Sequence, residues 1–373
     1  MKRIHIIRFC CALLICLTLF CSCGRKLSQP EYLGNATAQY YEQHEKQTDR
    51  SASAWDLYEF GGKIYIGSGD SYNNTGGVPI ISYDLKSGKF ATESEIDEEQ
   101  IAQFTELDGT LIIPGEDPVG SPNYGNIYTL VDGEWQKNEV LPNAVHCLGI
   151  VKHGGKYYAG INSLFFSPVC VSNEISAPFE YAQFYKNGKQ LEIPDMYERL
   201  GTLYSLNGEL YAHILYGDGD DKLDSREVYK LCGDRFEYYC DSTDKGLGGT
   251  SYEFGGRLYF KGTLRYTDDL MTVHAVTLPT QQYVTDIFVA DNAIYVLGAT
   301  RSGDGFINTV FSSTDGDNFK TVCSFKYPSA AASFIMASDG NFYFGIGRVN
   351  TENAQDESKF GDILKLKGTE NGK

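Results

Sequence analysis

The chain reads as an all-β fold, a seven-bladed β-propeller of mostly four-stranded antiparallel blades, and three observations lead there. The first is a phrase that recurs. LYEFGGKIYIGSG from Leu57 returns as FTELDGTLIIPGE from Phe104, GIVKHGGKYYAGI from Gly149, LYSLNGELYAHIL from Leu203, SYEFGGRLYFKGT from Ser251, DIFVADNAIYVLG from Asp286 and FIMASDGNFYFGI from Phe334. Each copy is an alternating apolar run, a two-residue turn and a second alternating run, the pattern of a β-hairpin whose Gly or Asn supplies positive φ. The second is spacing. The second turn residues, Gly62, Gly109, Gly155, Gly208, Gly256, Asn292 and Gly340, lie 47, 46, 53, 48, 36 and 48 residues apart, which suits a four-stranded blade. The third is composition: 40 Gly, 27 Tyr and 21 Phe beside only 4 Met fit many short strands joined by turns.

In chain order, Met1 to Ser22 (MKRIHIIRFCCALLICLTLFCS) has a basic start, an apolar run and small residues. The run is too short to span a bilayer, so residues 1–22 read as an export signal. The following Phe20-Cys21-Ser22-Cys23-Gly24 resembles the lipobox of bacterial lipoproteins. That resemblance implies diacylation of Cys23, with Cys21 as the alternative, and two acyl chains anchor durably. Gly24 after the lipidated cysteine implies, by resemblance to enterobacterial sorting, the outer membrane. Residues 23–35 are then a tether and 36–373 the propeller.

Each unit has four parts. In the first, strand A (Trp55 to Phe60) and strand B (Lys63 to Gly67) form the hairpin, a polar loop leads to strand C (Val78 to Leu85), and Ser87-Gly88 turns into strand D (Phe90 to Ile96). The 36-residue spacing leaves no room for a full outer strand in the fifth blade, which is expected to have three strands or a vestigial fourth. The seventh unit ends after its C strand, Gly361 to Leu366. An unpaired edge there would leave the ring open, so the N-terminal segment near Thr37 to Tyr41 is expected to supply the missing strand. Ser313-Thr314-Asp315-Gly316-Asp317-Asn318-Phe319 resembles the Asp-box of sialidase-like propellers, one residue shorter, which implies a C-to-D hairpin and carries no chemistry.

Beyond residue 22 the chain holds 29 basic and 49 acidic residues, a formal −20. That charge argues against a nucleic-acid partner and fits a soluble, self-repelling particle, expected as a monomer, or one that receives cations. Cys147, Cys170, Cys232, Cys240 and Cys323 are odd in number and lack CxxC spacing, so neither a zinc site nor a disulfide framework is expected. Cys232 and Cys240 lie unequally far from the Gly233-Asp234 turn and should not pair.

The A-to-B turns are tight, whereas the B-to-C connections read as long and polar: Asp70 to Gly77, Glu116 to Gly125, Tyr216 to Arg226, Arg265 to Asp269, Arg301 to Gly305 and Arg348 to Lys359. One face is therefore elaborated, and it is largely acidic. Gly217 to Asp224 (GDGDDKLD) suggests Ca²⁺ but lacks the sixth-position Gly and twelfth-position Glu of an EF-hand loop, so a solvated acidic loop is the preferred reading and no metal site is assigned. Arg265, Arg301 and Arg348 recur five or six residues after strand-B tyrosines and are candidates for an anion, or for pairing with Asp268, Asp304 and Glu352. Eight residues before each hairpin turn stand Ser53, Gln100, His146, Arg199, Leu247, Tyr283 and Ala331, expected around the channel mouth. Of these Gln100, His146, Arg199 and Tyr283 are the ligand-binding candidates, and His146 alone titrates near neutrality. No nucleophile elbow, P-loop or dinucleotide fingerprint occurs. The function expected is an envelope-anchored binding or scaffold lipoprotein holding a protein or glycan partner, which by architecture and anchor resembles propeller lipoproteins that assist outer-membrane protein assembly. The alternative is an enzyme acting on a carbohydrate or small molecule at the channel mouth.

Overall fold

The computed structural model describes residues 27–43, 48, 50–73, 76–119, 124–163, 167–191, 198–217, 227–242, 247, 250–290, 292–349 and 355–368. Seven blades surround a central channel. Their innermost strands are Asp56–Phe60, Thr105–Leu107, Ala144–His153, Glu198–Leu206, Ser251–Phe254, Tyr283–Ala290 and Ala331–Met336. Each pairs antiparallel with the next strand across the predicted hairpin, for example Phe60 opposite Lys63 and Leu206 opposite Glu209. The first turn works because Gly61 and Gly62 take φ of 59° and 78°, which costs little without a Cβ. Among the described residues no helix is long and apolar enough to cross a membrane.

The core lies between blades. Leu57, Ile64, Ile66 and Ile81 of blade one pack on Ile335, Tyr343 and Ile363 of blade seven. Leu297, Val310 and Phe325 of blade six meet Phe334, Phe344 and Leu364 of blade seven on its other side. Burying each such side chain contributes about 1.5–3 kcal/mol, so every blade depends on two neighbours.

The ring closes with an N-terminal strand, but that strand is Glu31–Asn35, which pairs antiparallel with Asp362–Leu366. It lies in the stretch expected to be tether. Residues Ala38–Tyr41, expected as the closing strand, form a single helical turn. The cause is Asn35, whose Oδ1 accepts from the backbone N–H groups of Thr37 (3.2 Å) and Ala38 (2.8 Å), turning the chain out of the sheet. The turn sets the adjacent Tyr40 and Tyr41 on blade one, where their hydroxyls reach the Gly77 carbonyl (3.4 Å) and Ser68 Oγ (3.3 Å).

Blade five has a vestigial outer strand of two residues, His274–Ala275. Blade three also has a short one, Glu180–Tyr181, after which Phe184–Lys186 crosses to lie parallel to the outer strand of blade four. Two expected long connections are short. Arg265–Thr267 is the third strand of blade five, and Ser302 pairs with Gly305 in a tight hairpin with Gly303 at φ 63°. Polar residues signalled loops at both places, yet cross-strand pairing with apolar neighbours holds them in the sheet. The five cysteines after Cys23 are free, and Val228, not Cys232, stands opposite Cys240.

The Ser313–Phe319 turn fastens blade six to blade five. Asp315 Oδ2 accepts from the Asn318 side-chain amide (2.8 Å) and its Oδ1 from the N–H groups of Asn318 (2.8 Å) and Asp317 (2.9 Å), bonds that hold its carboxyl well below the usual carboxylate range. Phe319 packs beneath the turn against Tyr259 and Leu264 of blade five, and Arg257 pairs with Asp317 at 2.7 Å.

Candidate functional site

A groove of about 910 Å³ separates blades five and six. It exists because both blades are trimmed there: the outer strand of blade five stops after two residues, and the B-to-C connection of blade six is a tight turn. Its floor is stiff. Gly262 and Val284 exchange two backbone hydrogen bonds of 2.9 Å, and Val276 N–H donates to the Leu264 carbonyl at 3.0 Å. The walls carry Thr263, Thr277, Gln281, Gln282, Tyr283 and Thr300 among apolar Leu264, Val276, Leu278, Ala299 and Phe306, with Arg301 at one side. The Gln282 amide nitrogen is fixed by the hydroxyls of Thr280 (3.2 Å) and Thr309 (3.0 Å). Its Oε1 lies where a Cβ on residue 298 would stand 2.6 Å away, so Gly298 makes that placement possible. Tyr283 keeps 37% of its surface exposed, Arg301 stands 5.3 Å over the Phe306 ring, and its Nε donates to the Gly303 carbonyl at 3.0 Å. Among the described residues the lining contains no carboxylate.

A second cavity of about 590 Å³ occupies the channel between the inner strands of blades one, five, six and seven. Here the sequence reading missed Asp56, Asp286 and Lys261. Asp286 accepts from Phe334 N–H (3.0 Å), Ile287 N–H (2.9 Å) and the Tyr252 hydroxyl (3.3 Å), and pairs with Lys261 Nζ at 2.7 Å. Asp56 accepts from Phe104 N–H at 2.7 Å. Burial, and then the negative charge of Asp286, pushes the Asp56 carboxyl up to about 7. Burial opposes the charge on Lys261, yet Asp286 and Tyr252 hold its pKa above the usual lysine range. Glu59 and Glu253 act alike, taking the N–H groups of Ser338 (2.6 Å) and Asn207 (2.7 Å) from adjoining blades. These acids are latches between blades. A signal was present: Asp56 and Asp286 both stand five residues ahead of their hairpin's first turn residue.

The residues expected around the channel mouth divide. Gln100 and His146 both stand opposite Glu116, which links blades one to three. Burial, with Asp117 adding its charge, pushes Glu116 up to about 7. Glu98 alongside is also pushed up to about 7 by burial, although Asn126 (2.5 Å) and Tyr128 (3.2 Å) donate to it. Gln100 is buried and accepts from Ser71 Oγ at 3.2 Å. Ser53, Leu247 and Ala331 are buried, Ser53 accepting from Arg348 N–H at 2.9 Å. Tyr283 lines the groove instead, where it meets Arg301. Arg265 lies opposite Phe260 and Ala275 inside blade five, and the Arg348 side chain is exposed. Of the three arginines, Arg301 lines the groove and the other two do not. Arg199 is paired with Tyr216 by its backbone, and its side chain lies outside the described residues, as do Cys23 and nearly all of Gly217 to Asp224. Among the described residues no cluster of three or more His, Cys, Asp or Glu is arranged to hold a metal.

No family model matches the chain, and no curated protein matches its sequence. Solved structures do resemble it. A streptogramin B lyase is 13% identical with a TM-score of 0.53, the match covering 87% of this chain and 95% of that one. A virginiamycin B lyase from Staphylococcus aureus is 11% identical with a TM-score of 0.53, over 90% and 98% of the two chains. The likeness is one of fold. At such identity it brings no site and no reaction with it.

Proposed function

We propose that the protein is an envelope-anchored, non-enzymatic binding propeller whose protein or glycan partner seats in the groove between blades five and six. Anchoring rests on Met1 to Ser22 and the lipobox-like run ending at Cys23. The binding reading rests on one observation above all: the groove is concave, floored by paired backbones and, among the described residues, lined without a carboxylate. Such a pocket, with polar groups set among apolar ones, is the usual form of a ligand site. The channel carboxylates favour an enzyme at first sight, since a neutral-range Asp56 stands beside Asp286. Their oxygens are instead engaged by backbone N–H groups of neighbouring blades, which supports a structural role.

The test is photo-crosslinking in the native envelope, with a photoreactive residue at Thr263 in the groove or at Asp132 on a tight hairpin turn. An adduct formed from position 263 and absent from 132 is the expected result. Equal adducts from both positions, or none from 263, would sink the reading.

A further inference from the structure

We infer that the ligand of this groove is an uncharged, hydroxyl-rich saccharide, an inference that rests on the groove being the binding site. Three features of the wall lead there. Among the described residues the lining has no carboxylate to draw a cation, although the chain has 49 acidic residues. An anion is disfavoured as well: the formal −20 beyond residue 22 repels it at long range, and Arg301 already donates its Nε to the Gly303 carbonyl at 3.0 Å and stacks over Phe306. What remains is a surface of hydroxyls and amides, from Thr263, Thr277, Thr300 and Gln281, each of which both donates and accepts.

Those groups match sugar hydroxyls, which also donate and accept. Between them the Tyr283 ring, 37% exposed, with the half-buried Val276 and Leu278, offers apolar surface for the C–H faces of a pyranose ring. The polar positions are preorganised: Gln282 is pinned by two threonines and the floor by the paired backbones of Gly262 and Val284. Preorganisation matters most for a ligand that exchanges hydrogen bonds with water and gains little net energy from each. The 910 Å³ volume lies near the top of the ~300–1,000 Å³ range of small-molecule sites, so it suits an oligosaccharide better than a protein surface.

The experiment is calorimetric titration of the chain lacking its anchor with three classes of trisaccharide: neutral (cellotriose, the N-acetylglucosamine trimer), acidic (trigalacturonate) and cationic (the glucosamine trimer). Tyr283→Ala and Thr263→Trp run beside the parent protein, with Tyr283→Phe as the conservative control and melting curves to check folding. A neutral trimer that binds at least ten-fold tighter than the charged ones, and at least ten-fold more weakly to Tyr283→Ala but not to Tyr283→Phe, supports the inference. Tighter binding of a charged trimer that both groove variants abolish overturns the ligand class and leaves the groove in place. If no trimer binds while the Thr263 crosslink captures a protein, the saccharide is likewise overturned and the groove is kept. Binding indifferent to both variants overturns the inference and the groove together, and so does an absence of both sugar binding and crosslink.

Discussion

Replacing Asp286 by alanine isolates what holds the inner ring together. Its carboxylate is 7% exposed and serves Phe334 N–H across the blade boundary, Ile287 N–H, the Tyr252 hydroxyl and Lys261 Nζ. Truncation strands the ammonium and leaves a buried N–H without its acceptor. Breaking a buried pair costs about 3–5 kcal/mol, and an unsatisfied buried N–H about 1–3 kcal/mol. Because Lys261 keeps 35% of its side chain exposed, water offsets part of both, and a net loss of about 3 kcal/mol is expected. For a chain of this size that lowers the melting temperature by about 4 °C. The assay is thermal unfolding followed by circular dichroism at pH 7 in moderate salt. Lys261→Met in the same chain removes the stranded charge and should recover part of the loss, a coupling that a double-mutant cycle reads directly. A single variant within 1 °C of the parent, or a double variant no more stable than Asp286→Ala, would refute the latch.

Three further outcomes are expected. Asp56, Glu98 and Glu116 are all pushed up to about 7 by burial, so between about pH 4 and 7 the native state keeps protons that the unfolded chain has released. Stability should therefore fall as pH rises through that window. Melting at pH 5 should exceed melting at pH 8, and Asp56→Asn should flatten the slope; an unchanged slope counts against the assignment. Asn35→Ala removes both the donor to the Phe360 carbonyl (2.8 Å) and the acceptor that turns the chain at Ala38. It should cost about 1–2 kcal/mol and expose the N-terminal strand to limited proteolysis. Gly316→Ala meets a φ of 78° and would set a Cβ into the Tyr259 hydroxyl, so a loss of about 2 kcal/mol is expected in urea titrations.

The blades were legible because their hairpins need residues such as Gly61 and Gly62, whose positive φ few others tolerate. The vestigial strand of blade five was legible as a missing length. What sequence did not reveal was decided by contacts between distant segments. Thr37 to Tyr41 reads as the closing strand until Asn35 Oδ1 is seen to take the Ala38 N–H and turn the chain away. The polar letters of Arg265–Thr267 and Arg301–Gly305 suggested loops, and only pairing across the sheet shows them to be strand and tight turn. The groove followed from these two departures together, since it lies where shortened connections of neighbouring blades coincide. Tyr283 and Arg301 were named for other reasons and meet in it. Gln281 and Gln282 were not, because nothing in their local sequence distinguishes a groove wall from an exposed linker.

Closing the ring with segments from the two ends of the chain has a kinetic and a mechanical consequence. Tyr32 and Asp362 touch across 330 residues, so the first-made strand waits unpaired until the last one is available, and the seam is the contact of longest range in folding. Loop-closure entropy grows only slowly with length, so the penalty falls on rate more than on equilibrium. Tension arriving from the N-terminal side meets the Ser28-to-Ser324 hydrogen bond and the short Glu31–Asn35 ladder before it reaches any complete blade. The seam is thus a mechanical fuse: it would open first, releasing the ring while six blades keep all their strands.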